Sequence, residues 1–109
     1  MNSKDIKSPF NVSSIQHRIF GSQVRLQLAE NFVLNFTQAE ASSLSFALIA
    51  VRDGVSPEHE IYMSPISSDY AFTCEVKNSG ISIAVGADVV ELDWSNVGKL
   101  AQALGAAVD

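Results

Sequence analysis

His17 and Cys74 are the only titratable side chains on the expected inward rows of an otherwise apolar strand pattern. A histidine beside a cysteine can form a base-activated thiolate, or the two can ligate a metal. A cysteine nucleophile needs a base in reach and an exposed, electropositive setting. Here the flanks are Phe72 and Val76 around the cysteine, and Ile15 and Ile19 around the histidine, a setting for a core thiol and a core histidine. A second cluster, Glu58-His59-Glu60, follows Pro57. Consecutive side chains splay apart, and two acids with one histidine match no ligand spacing, so this stretch reads as a solvated loop. Nowhere does the chain carry a glycine-rich phosphate loop, a nucleophile elbow or zinc-finger spacing. One cysteine allows no intrachain disulfide and no paired-cysteine redox motif. No catalytic residue, metal or cofactor is expected.

The elements that would hold such residues must fit within 109 residues, room for one core. Hydrophobic residues are 47% of the chain, which excludes disorder by low hydrophobicity. Charged residues are 17%, below the roughly 25% of ordinary soluble domains, so polar cover is scarce. The net charge of −5 and pI near 4.8 oppose a main affinity for phosphate backbones. The opening MNSKDIKSPF has no apolar h-region, and no apolar run reaches the length of a membrane span. No membrane association is expected, and the expected location is cytoplasmic.

Residues 1–12 are polar, contain Pro9 and lack a period; they read as a flexible lead-in to a single domain over 13–109. Alternation then predicts strands near 14–20, 24–29 and 32–36. Their inward rows are Ile15, His17 and Ile19, then Val24, Leu26 and Leu28, then Phe32, Leu34 and Phe36. Turns are expected at Gly21-Ser22 and Glu30-Asn31. Thr37 with Glu40 forms a capping box, and Ala41, Leu44, Leu48 and Val51 lie at helical spacing up to a stop at Gly54. A helix is therefore expected over 38–52. Residues 60–66 read as a short strand that Pro65 confines to an edge or a strand end. Strands near 70–77, 81–86 and 89–92 follow, then a helix over 94–107 capped by Asp93.

The two halves, about 14–54 and 70–109, repeat a βββα order. An offset of 57 lays Ile15, His17 and Ile19 on Phe72, Cys74 and Val76. After the second turn an offset of 56 lays Leu34, Phe36 and Thr37 on Val90, Leu92 and Asp93. The expected fold class is α+β: one antiparallel sheet of about six to seven strands with two helices on one face, built on a possible internal duplication.

Both helices are unusually apolar. Between Glu40 and Arg52 there is no charge, and Phe46, Ile49 and Ala50 lie off the inward stripe. In the last helix Lys99 stands alone, and Gly98, Ala101 and Gly105 make a smooth strip; Trp94 opens that helix as a possible anchor. Such faces are normally covered, and a second copy of the chain is the expected cover. Phe46, Ile49, Ala50, Gly98, Gly105 and Trp94 are the candidate interface residues. Charge is uneven as well. Residues 1–57 hold five basic and four acidic groups, and residues 58–109 hold two and eight, so Arg18 and Arg25 mark one end of the open face and Glu75 and Glu91 the other.

In size, acidity and mixed strand-helix order the chain resembles small dimeric type III secretion chaperones, a family that opens with a helix where residues 1–12 here do not. Meanders that each end in a helix look like the Whirly type of single-strand-binding protein. The expected function is a non-enzymatic, homo-oligomeric protein-interaction or assembly module, a homodimer in the simplest case, with another protein as a further possible partner. The alternative is single-stranded nucleic-acid binding on the open sheet, where arginines in one half only and few aromatic rings make a nucleic-acid partner the poorer fit.

Overall fold

The computed structural model describes residues 10–19, 21–29, 32–55, 59–66 and 71–108. The lead-in before Phe10, the Glu30-Asn31 turn, the Ser56-Pro57-Glu58 loop and the strand start at residue 70 lie outside the described residues. The elements run β1 (Asn11–His17), β2 (Gly21–Ala29), β3 (Phe32–Thr37), α1 (Gln38–Arg52), β4 (Glu60–Met63), β5 (Phe72–Lys77), β6 (Gly80–Val85), β7 (Asp88–Asp93) and α2 (Trp94–Ala106). The fold is α+β and all strand pairing is antiparallel.

The strands form two sheets rather than the single expected one: β1-β2-β3 and β4-β5-β6-β7. Alternation along a chain reports which residues share a face, but carries no information about which strands bond across the molecule. The sheets share one core. Phe36 of β3 meets Phe72 of β5 edge to face, with ring centroids 5.8 Å apart and planes at 73°. Around this pair Leu26, Leu44, Ile83, Leu100 and Leu104 are buried in a single cluster. Each such side chain contributes roughly 1.5–3 kcal/mol on leaving water.

Local chemistry sets the helix ends. The Thr37 hydroxyl accepts the Glu40 backbone N–H at 3.1 Å, and the Glu40 carboxylate accepts the Thr37 N–H at 2.8 Å. At the other end, Val55 N–H donates to Ala50 O at 2.9 Å and Gly54 N–H to Val51 O at 3.3 Å. Those two bonds, with Gly54 at φ +73°, make the Schellman stop that satisfies the last carbonyls. Asp93 caps α2 by accepting the Asn96 N–H at 2.8 Å.

The first strand differs from expectation. It spans Asn11–His17, begins within the expected lead-in, and ends three residues before residue 20. Arg18 and Ile19 lie in the turn, where Ile19 is 82% exposed. Pairing sets Val12 opposite Leu26 and Ser14 opposite Val24, so Val12 and Ser14 share the core row, while Ile15 sits opposite Gln23 on the other face. The polar stretch Asn11-Val12-Ser13-Ser14 hid this strand, since only one of its residues is apolar. The expected equivalence of His17 and Cys74 fails with it. Cys74 pairs with Ile83, whereas the residue paired with Leu26, at the matching place in the first sheet, is Val12. The later hairpins do keep the expected offsets: Val24 pairs with Phe36 as Ile81 pairs with Leu92, and Gln23 with Thr37 as Gly80 with Asp93.

Candidate functional site

The two helices pack antiparallel against each other, and the small residues of α2 make this possible. Ser45 of α1 donates its hydroxyl to Ala101 O at 2.7 Å in a buried contact. A Cβ on Gly105 would lie 3.5 Å from Ser45 Oγ, and one on Gly98 would come within 2.9 Å of the Arg52 guanidinium. The strip of Gly98, Ala101 and Gly105 thus seats α1 of the same chain. Ile49 is half-buried against the core, as is Trp94, whose Nε1 donates to Asn78 O at 2.8 Å and ties α2 to the β5–β6 turn. Ala50 is half-buried. Of the six candidate interface residues, Phe46 is the large one left open, at 72% exposure. Ala39 and Ser43 lie exposed on the same side of α1.

Cys74 sits in mid-β5 between Ile61 and Ile83, 1% exposed. Loss of solvent pushes its thiol from an ordinary value near 9.0 up to about 12, the reverse of what a nucleophile requires. His17 ends β1, in the other sheet, paired with Gly21; its side chain lies outside the described residues. Among the described residues, no group of three or more His, Cys, Asp or Glu side chains is arranged to hold a metal ion.

The Glu58-His59-Glu60 cluster is divided. Glu58 lies outside the described residues, His59 accepts the Val76 N–H at 2.8 Å through its carbonyl, and Glu60 opens β4. The register then produces a feature that no single strand reveals. On the open face of the second sheet, Glu60, Glu75, Ser82 and Glu91 fall in one row across all four strands. Lys77 approaches this row, 4.0 Å from Glu75 and 3.8 Å from Glu91. Ser82 donates to Glu91 at 3.4 Å. Two residues along each strand lies a second row, Tyr62, Thr73, Ala84 and Val89, in which Tyr62 is 66% and Val89 58% exposed. Alternation had already placed Glu75 and Glu91 on the open face; aligning them with Glu60 and Ser82 needed the pairing.

The open face of the first sheet is different in character. Arg25 lies in a row with Ser13 and Asn35, and its Nε donates to Asn35 Oδ1 at 3.0 Å. Among the described residues, no helix is long and apolar enough to cross a membrane. No protein-family model, curated protein or solved structure matches the chain, so its functional reading rests on these surfaces.

Proposed function

We propose that the protein is a non-enzymatic interaction module that self-associates through the outer face of α1. The observation that carries this is the open Phe46 ring, set in a helix with no charged residue from Ala41 to Val51. A twofold contact brings identical residues face to face, so a charged helix would repel its own copy. An uncharged face carries no such penalty. Burying two phenylalanines, one from each copy, is worth roughly 1.5–3 kcal/mol apiece before the cost of association. The small-residue strip of α2 is occupied within the chain, which narrows the contact to α1 and the rim beside it.

The test is native mass by light scattering over a concentration series, with Phe46→Glu beside the wild type. Dimer for the wild type and folded monomer for the variant are expected, because a paired glutamate in the contact would be buried without a partner. A wild-type monomer at high micromolar concentration would sink the proposal. Single-stranded nucleic acid finds less support, since the exposed rows offer three glutamates on one sheet and a lone arginine row on the other. The halves are best read as two versions of one βββα unit. The shared offsets of the β2–β3 and β6–β7 hairpins support this; β4 and the first hairpin stand outside it.

A further inference from the structure

We infer that the open face of the β4–β7 sheet is a second docking surface, shaped for a partner-protein segment that carries lysine or arginine beside apolar residues. The face is amphipathic in two parallel lanes. The acidic lane of Glu60, Glu75, Ser82 and Glu91 and the apolar lane of Tyr62, Thr73, Ala84 and Val89 each cross four strands, a span of roughly 14 Å. They are two residues apart on every strand, roughly 7 Å. A depression of about 260 Å³ opens beside the acidic lane, where Gly80 has no side chain and Ser82 is buried; Glu91, Asp93 and Lys77 line it.

The charge arrangement indicates the occupant. Glu60 and Glu75 are direct cross-strand partners, and like charges so placed destabilise a sheet. Lys77 compensates in part, at 4.0 and 3.8 Å and about half exposed. A stability optimum would replace one of the glutamates with a neutral or basic residue. Three glutamates in one row, beside an exposed tyrosine and valine, suit a surface that meets positive charge and apolar groups together. An anionic membrane or a nucleic acid would be repelled. A chelated ion is poorly served by carboxylates spread along a flat row. A second copy of this chain is a poorer match, because it carries a net charge of −5 and its exposed Arg18, Arg25 and Lys99 stand singly on separate elements. A basic, apolar-flanked segment fits both lanes.

The probe is a fluorescein-labelled peptide of alternating lysine–leucine pairs, compared with one in which every leucine is serine, by fluorescence anisotropy on the full chain. Saturable binding of the leucine peptide is expected, at least about tenfold tighter than the serine peptide. Affinity should fall about tenfold in Glu75→Gln/Glu91→Gln and about tenfold in Val89→Ser. Raised salt should weaken binding to the wild type more than to the double glutamine variant. Phe46→Glu should bind as the wild type does, which separates this face from the α1 contact. Denaturant unfolding should show Glu75→Gln/Glu91→Gln and Val89→Ser cooperatively folded under the binding conditions, so that lost binding is not lost folding. Equal binding of both peptides, equal binding by all variants, or loss of binding in Phe46→Glu would each overturn the assignment.

Discussion

Replacing Cys74 with alanine tests whether its thiol is a structural group, through the dependence of stability on pH. The thiol is 1% exposed and burial pushes it to about 12 in the native state, against 9.0 ordinarily. Below about pH 9 both the native and unfolded chains hold the proton, and the stability that the buried neutral thiol confers is fully present. As pH rises further, the unfolded chain releases its proton first. Native stability then falls by about 1.4 kcal/mol per pH unit until the native thiol itself ionises near 12. At about pH 10.5 the wild type should have lost about 2 kcal/mol that Cys74→Ala does not lose. Every other ionisable group is present in both proteins and cancels in the difference. Near neutral pH the variant should be the less stable by about 1–2 kcal/mol, because it leaves a small void between Ile61 and Ile83. Urea unfolding in reducing buffer, followed by Trp94 fluorescence, measures both terms. The wild-type advantage should vanish or reverse between neutral pH and about pH 10.5. Parallel stability curves, or rapid labelling of the native protein by a thiol reagent near pH 7, would refute the reasoning and reopen the catalytic reading of this cysteine.

Two further outcomes follow from the second sheet and from β2. Gly80→Ala should cost at least about 3 kcal/mol in denaturant unfolding, because its Cβ would run into the Leu92 carbonyl at a backbone φ of +153°. Gly86→Ala, at φ +59° with open space around it, should cost only about 1 kcal/mol, and equal costs would refute the steric account. Gln23 is 1% exposed and its Nε2 has no partner among the described residues. Gln23→Met keeps the length while removing the unpaired amide, and should raise stability by about 1 kcal/mol; a comparable loss would mean that the amide is satisfied.

Much of the architecture is legible in the chain itself because it is written in local chemistry. Both helices begin where Thr37 and Asp93 place an oxygen over a free backbone N–H, and α1 stops where Gly54 can take a positive φ. Strands β2, β3, β5, β6 and β7 alternate so regularly that their inward rows are the core rows. Where the local signal was misleading, the reading failed. Ile15-Gln16-His17-Arg18-Ile19 alternates like a strand, yet its last two residues form a turn, while the polar residues before Ile15 pair along β2.

The surfaces are another matter, since they depend on which distant segments meet. Gly98 and Gly105 read as a smooth outer strip until α1 is laid against α2, because a helical wheel shows a face but not its neighbour. Phe46 reads as one of several exposed apolar residues and proves to be the prominent one, because the core absorbs Ile49 and the β5–β6 turn takes the Trp94 indole N–H. Glu60, Glu75 and Glu91 lie far apart in the chain, and each is an unremarkable outward residue of its own strand. Backbone hydrogen bonds between β4, β5, β6 and β7 set the register that puts them in one row. The chain by itself determined capping, periodicity and the apolar content of each face, all carried by residues within a few positions of one another. The split into two sheets, the pairing of the helices and the acidic and apolar lanes were decided only by tertiary structure, because strand pairing and helix docking join residues whose separation along the chain no local pattern records.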